Sequence, residues 1–381
     1  MPALPLPDLR RRYRDELFER FLPFWDRHGI DHEHGGFFHH LDYDGTLLGT
    51  DKFHWFQGRG LWVWSFLYNH FGRDPRHLEV AAKAKDFLLG ALQSYHGDVY
   101  AMYFAAEGLQ EYAFAAGDDQ ALATALGLVR KLFAHIDRPA YGPRPQGLWM
   151  VNLRIATQML RRWNEPDVAA IADRALEAII DKHYNPEVGL NTELLNFDFT
   201  RPAGEENKCQ LGHSVETLWM AMDEADRRAD PALWRTCAQR IRHHLDVGWD
   251  HVYGGLAQWV NVDRPGYRWP EENPVGTSFR FQGAGEYNYM KSLWALNEAL
   301  IGTLLIYERT GAEWAARYFS LAQEMIDRKF SLKERGYPGY ILFGDRQVTF
   351  HPHGDRQDNY HPPRQLMLSL LALERMLVGA P

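Results

Sequence analysis

Cysteine is scarce in this chain: Cys209 and Cys237 are the only two among 381 residues. Two thiols are too few for a disulfide framework or a thiolate metal site, so a reducing cytoplasm is the expected compartment. No apolar run approaches the roughly 20 residues needed to span a bilayer. The opening Met1-Pro2-Ala3-Leu4-Pro5 is too short and too broken by proline to be a signal-peptide core. Positive charge is not in excess either. At a formal net charge of −8, neither nucleic acid nor an anionic membrane surface is an expected partner. The P-loop, the dinucleotide fingerprint, the Gly-x-Ser-x-Gly elbow and the His-Glu-x-x-His zinc pair are all missing. His32-Glu33-His34, His39-His40 and His243-His244 have poor metal-ligand spacing, and no metal or other cofactor is expected.

Aromatic residues are plentiful: 13 Trp, 18 Tyr and 21 Phe, with 18 His besides. Flat apolar faces with polar edges suit sugar rings, but they also fill large helix-packed cores, and composition alone favours the core.

Helical periodicity dominates. Leu9, Tyr13, Leu17, Phe21 and Phe24 recur at spacings of three and four, which predicts a helix over 8–28. Similar patterns predict helices over 57–72, 75–93, 102–117, 119–137, 147–163, 166–184, 213–228, 231–247, 287–310, 313–330 and 363–378. Gly72-Arg73-Asp74-Pro75, Gly117-Asp118, Asn164-Glu165-Pro166 and Asp230-Pro231 end one helix and cap the next, which makes short antiparallel links. The alternate links are longer and share a loose signature of acidic or aromatic residue, polar residues, then glycine and an apolar run. It occurs at Asp31 to Phe38, Tyr184 to Leu190 and Trp249 to Leu256, and more weakly at Gly336 to Tyr340. Twelve helices in six pairs with such a loop at one end predict an all-α (α/α)6 barrel with short β-hairpins, one catalytic domain over 1–381. An open superhelix of helix pairs is the competing architecture. The segment 263–286, rich in Gly, Pro and charge, is expected to be a long surface loop acting as a lid or binding loop.

Four stretches carry candidate chemistry. In Asn359-Tyr360-His361-Pro362-Pro363-Arg364, a Pro-Pro pair at a helix entrance fixes His361 on a stiff loop end. In Gly212-His213-Ser214-Val215-Glu216, His213 and Glu216 share one helical face. They are either an acid/base histidine oriented by a carboxylate, or a capping histidine with a first-turn glutamate. In Gln57-Gly58-Arg59, the arginine lies among aromatics and requires an acceptor, from the protein or from a ligand. In Lys291 to Glu298, Lys291, Trp294 and Glu298 fall on one helix side, as an internal Lys–Glu pair or as a sugar-hydroxyl contact. Glu193 has the same two readings. Tyr100 and Tyr103 enter a helix and read locally as core.

With these motifs in view, the chain resembles the N-acylglucosamine 2-epimerase family, which includes renin-binding protein and relatives acting on cellobiose, mannose and related aldoses. The resemblance spans nearly the whole chain, with the four motifs in order. It implies the (α/α)6 barrel, no metal or redox cofactor, and a monosaccharide substrate. It implies that His213 and His361 are the acid/base pair, that Arg59 holds a substrate oxygen, and that Glu216 and Glu298 support them. Further substrate contacts are expected at Tyr103, Asn152, Glu193, Trp294 and Arg364. Some family members carry an extra histidine where this chain has Asn191-Thr192-Glu193, and the Glu193 version is nearer the N-acylglucosamine branch.

The expected activity is N-acetylglucosamine/N-acetylmannosamine 2-epimerisation in the cytoplasm, with a homodimer as the expected assembly. Three alternatives stand beside it. One is a mannose 2-epimerase or mannose–fructose isomerase. Another is a glycoside hydrolase on the same barrel, with Glu216 and Glu298 flanking the scissile bond. The last is a non-enzymatic protein-binding module.

Overall fold

The computed structural model describes residues 4–95, 97–262 and 289–379. The chain divides into two compact units. A terminal unit comprises 2–129, 327–342 and 350–381, and a central unit comprises 130–326 and 343–349, with Met1 assigned to it. The loop expected over 263–286 lies outside the described residues.

In the terminal unit, α1 (Leu6–Asp15) continues as a helical path through Glu16–Phe21, Leu22–Phe24 and Trp25–Gly29. It is followed by α2 (His54–His70), α3 (Pro75–Ala91), α4 (Val99–Ala116) and the start of α5 (Asp119–Ile136). After α5, the central unit holds α6 (Gln146–Leu160), α7 (Pro166–Glu177), α8 (Leu211–Arg228), α9 (Pro231–Gly248), α10 (Leu293–Thr310) and α11 (Glu313–Met325). The last helix, α12 (His361–Val378), belongs to the terminal unit.

Two kinds of helix alternate along the chain. From Tyr100 to Ala113, every residue of α4 is buried, and α2, α6, α8 and α10 are buried almost as fully. By contrast α3 buries only Ala81, Ala84 and Leu88, and α7 a single stripe of Val168, Ile171, Ala172, Ala175 and Leu176. A helix apolar all round needs packing on every side, whereas a striped one has a solvent face. Aspartates cap the entrances: Asp74 accepts from Arg76 N, Asp98 from Ala101 N, Asp118 from Gln120 N and Ala121 N, and Asp230 from Ala232 N and Leu233 N. Close approach of α2 to α4 requires Gly58, where a Cβ would lie 2.3 Å from the Phe104 carbonyl.

The recurring loop is a structural repeat. Asp31 N donates to Gly36 O at 3.0 Å and Gly35 N to Asp31 O at 2.9 Å; Asp250 N donates to Gly255 O at 2.9 Å and Gly254 N to Asp250 O at 2.8 Å. In each, Oδ1 accepts from the amides two and three residues on. Both Gly-Gly pairs adopt φ between 73° and 82°, which favours glycine. A lysine completes each loop, Lys52 Nζ at 2.7 Å from Asp31 Oδ2 and Lys291 Nζ at 2.9 Å from Asp250 Oδ2.

Lys291 therefore departs from the expectation of a helix over 287–310. It lies in a short strand (Lys291–Ser292), paired antiparallel with Phe343–Gly344, and α10 begins only at Leu293. The other strand pairs in the central unit are equally short. Arg144–Pro145 pairs with Leu194–Leu195, Tyr184–Asn185 with Leu190–Asn191, and Lys208–Gln210 with Trp259–Asn261.

Candidate active site

In the central unit, the strand Lys208–Gln210 delivers the chain to α8, where Gln210 caps the helix by accepting from His213 N at 2.7 Å. The imidazole of His213 stands in the first turn, its Nδ1 2.9 Å from Glu193 Oε1. Glu193 is held by its backbone on both sides: its N donates to Lys208 O at 2.9 Å, and its O accepts from Gln146 N at 2.8 Å. With an ionised carboxylate as acceptor, Nδ1 carries the proton and Nε2 is the acceptor nitrogen. The carboxylate meeting Nδ1 is thus Glu193, and not Glu216 as the helical spacing suggested. The Trp294 ring is centred 5.4 Å from the His213 ring.

Glu216 and Glu298 come together, with carboxylate oxygens within 4.8 Å of one another. Glu298 is fully buried and accepts from Trp219 Nε1 at 2.9 Å; Glu216 is buried one turn below His213. The His213 side chain, 27% exposed, is the accessible member of the group. Asn152, fully buried in α6, donates to Leu148 O at 2.8 Å, and its Oδ1 has no partner among the described residues. Lys291 takes no part with Glu298. Its ammonium is buried against Asp250, which also accepts from Arg346 Nε at 2.7 Å.

The terminal unit holds a second histidine–carboxylate pair. His361 opens α12, with Pro362 and Pro363 in the first turn as the sequence indicated. Its Nδ1 is 2.7 Å from Asp358 Oδ2, while Asp358 Oδ1 accepts from Tyr360 N at 2.8 Å and His361 N at 3.2 Å. Burial pushes Asp358 up, but His361 and Arg59 outweigh it and hold the carboxyl below the usual carboxylate range. Burial lowers His361 below the ordinary histidine value, and Asp358 offsets part of that. Its environment therefore favours the neutral imidazole more than water does.

Arg59 is surrounded by aromatics, of which its own sequence neighbourhood supplies Trp55 while Phe104 and Tyr360 come from elsewhere in the chain. Its Cζ lies 3.8 Å from the Phe104 ring centroid, 4.7 Å from Tyr360 and 5.7 Å from Trp55. Arg364, expected as a substrate contact, lies with its Cζ 4.4 Å from the Tyr360 ring centroid. It is buried, and donates to the Tyr360 hydroxyl at 2.9 Å, which in turn donates to Glu107 at 2.9 Å. That chain fixes the residue next to His361. Tyr103 is fully buried in α4, consistent with its local reading as core.

Asp358 and Glu107 were not foreseen. Asp358 stands three residues before His361 and two before the Tyr360 N-cap, where its Oδ1 accepts from the amides two and three residues on, a turn that an aspartate before a helix entrance could have signalled. Glu107 carried none, since it meets Tyr360 across 253 residues.

No family model matches the chain. It is 25% identical over 412 residues to the N-acylglucosamine 2-epimerase of Mus musculus, covering 98% of this chain and 94% of that one. Among solved structures it is similar to the cellobiose 2-epimerase of Bacillus thermoamylovorans B4167, with a TM-score of 0.77, 17% identity and coverage of 96% and 99%. It is also similar to a D-mannose isomerase, with a TM-score of 0.73, 15% identity and full coverage of both chains. These likenesses give the fold as the (α/α)6 barrel that the helix count implied.

Proposed function

We propose that the chain is a member of the N-acylglucosamine 2-epimerase family, to which its full-length likeness points, and that it interconverts N-acetylglucosamine and N-acetylmannosamine at C2. The observation that carries the proposal is the pair of histidines, each at a helix entrance with Nδ1 held by a carboxylate: His213 by Glu193 and His361 by Asp358. Each pairing reserves Nε2 for proton transfer. The proposed catalytic domain is the whole of 1–381.

The pyranose opens to its aldehyde, which acidifies the C2 proton without a metal or redox group. One histidine removes that proton and an enediolate forms. Arg59 stabilises the charge developing on oxygen, a task suited to a preorganised cation in a dry aromatic setting. The other histidine returns a proton to C2 from the opposite face, giving the epimer. Glu216 and Glu298 support the sugar hydroxyls through the floor of the site. Trp294 supplies an apolar face for the ring, and Asn152 Oδ1 accepts from a hydroxyl. Protonation at C1 instead of C2 yields the ketose, so mannose–fructose isomerisation is the second reading, favoured by the full-length likeness to a D-mannose isomerase fold.

Hydrolysis is less well supported. Glu216 and Glu298 are both buried while His213 is more accessible, and a hydrolase needs its two carboxylates flanking the glycosidic bond. The test is incubation in D2O with N-acetylmannosamine, mannose and cellobiose, followed by NMR of C2 deuterium. Exchange with N-acetylmannosamine is expected. Exchange with mannose alone moves the substrate to the second reading, and exchange with none removes the proposal.

A further inference from the structure

The chain running into His361 commits each side chain to a different part of the terminal unit. Gln357 pairs with the Tyr340 backbone: Oε1 accepts from Tyr340 N at 2.9 Å and Nε2 donates to Tyr340 O at 3.1 Å. Its own N donates to His39 O at 2.9 Å. Asp358 holds the imidazole, and the Tyr360 hydroxyl reaches Glu107 in α4. Asn359 reaches α2. Its Nδ2 donates at 3.1 Å to Phe56 O, in the first turn of that helix, and Arg59 follows three residues on. Gly60 admits the amide, since a Cβ there would lie 2.7 Å from Asn359 Nδ2.

Packing does not account for an amide at this position. Asn359 is fully buried, and its Oδ1 has no hydrogen-bond partner among the described residues. A buried polar atom left unmatched is destabilising, whereas leucine has nearly the same branched shape with nothing to satisfy. Phe56 O does not need the bond either, because an interior helix carbonyl already accepts from the amide four residues on. What the bond supplies is direction. Only the NH2 of the amide can face a carbonyl oxygen, so the orientation of the side chain is set. The residue two before His361 is thereby tied to the helical turn that bears Arg59, and imidazole and guanidinium are held in one frame.

We propose that Asn359 is a positioning residue, holding His361 in register with Arg59 through the Phe56 carbonyl. Its role in catalysis rests on the two-histidine reading above. Asn359→Leu is compared with the full-length wild type, and Asn359→Ala, which cannot overpack, repeats each measurement. The urea midpoint of Asn359→Leu should be no lower than that of wild type, because an unmatched buried oxygen is removed and no carbonyl is orphaned. The His361 imidazole ¹⁵N signals, assigned by their loss in His361→Gln, should shift or split in both variants while those of His244 stay in place. On whichever sugar the wild type exchanges at C2, kcat should fall about tenfold with KM within about twofold, the signature of lost orientation. In an Arg59→Lys background the same substitution should cost less than about twofold, because the register it protects is already lost. Unmoved His361 signals overturn the positioning role whether or not a sugar is turned over. A cost that persists in full in the Arg59→Lys background also overturns it. Absence of exchange in the wild type removes the epimerase reading instead, and the imidazole signals then decide whether Asn359 positions His361.

Discussion

Glu193 Oε1 sits 2.9 Å from His213 Nδ1, bridging twenty residues between a strand hairpin and the first turn of α8. The carboxylate fixes which imidazole nitrogen is left to accept a proton. Its backbone is clamped by Lys208 and Gln146, so the pair is set before any ligand arrives.

Glu193→Gln keeps the shape and removes the charge. A decrease in kcat of about a hundredfold is expected, the scale of one acid/base contribution. KM for the sugar should change far less. Steady-state kinetics on the purified variant, with imidazole ¹⁵N shifts to read the tautomer, checks this.

Asp358→Asn acts on the other histidine, with a sign that follows from the environment. Burial lowers His361, and Asp358 raises it part of the way back. Losing the carboxylate therefore lowers His361 further. A base is active when neutral and is lost as pH falls through its pKa, so the acid limb of the kcat/KM profile should move to lower pH. The plateau should fall about a hundredfold. A limb moving to higher pH would contradict the assignment.

His244 is expected to make the fold acid-sensitive. It is fully buried, donating from Nδ1 to Arg240 O at 2.7 Å and accepting at Nε2 from Asn191 N at 3.0 Å. Burial pushes it down to about 4. Between that value and the ordinary histidine pKa the unfolded chain binds more protons, so stability falls with pH across this window. The loss from this residue is about 2 kcal/mol between pH 7.5 and 5. Urea unfolding of His244→Gln at both pH values should show a shallower pH dependence than wild type, even if the variant is less stable overall.

Gly58→Ala should destabilise by about 3 kcal/mol through overpacking. The new methyl meets the Phe104 backbone carbonyl at 2.3 Å, and a helix backbone cannot step aside as a flexible side chain would. Denaturant unfolding gives the value directly. Arg59 follows it in the same turn, so loss of activity should accompany the loss of stability.

Features determined locally were legible in the sequence. Caps at Asp74, Asp118 and Asp230, the Pro-Pro entrance of α12, and the repeated Asp-His-x-x-Gly-Gly loop all depend on neighbours within a few residues. What escaped was long-range or competitive. Glu216 looked like the partner of His213 because it is close in sequence, but tertiary placement of the 190s hairpin put Glu193 there instead. The apolar pattern around Lys291 extended the helix too far, because pairing with Phe343–Gly344 claims Lys291 and Ser292 for a strand. Asp358 could have been read as the aspartate of a turn leading into the helix, and the histidine three residues on as its side-chain partner.

The central claim is that two histidines serve two faces of one C2 centre. The direct measurement is C2 hydrogen exchange in D2O for His213→Asn and His361→Asn, each presented separately with N-acetylglucosamine and N-acetylmannosamine. The account predicts that neither variant interconverts the epimers, and that each still exchanges one of them, a different one in each case. Interconversion by either variant at the wild-type rate, or exchange of the same single epimer by both, would contradict it.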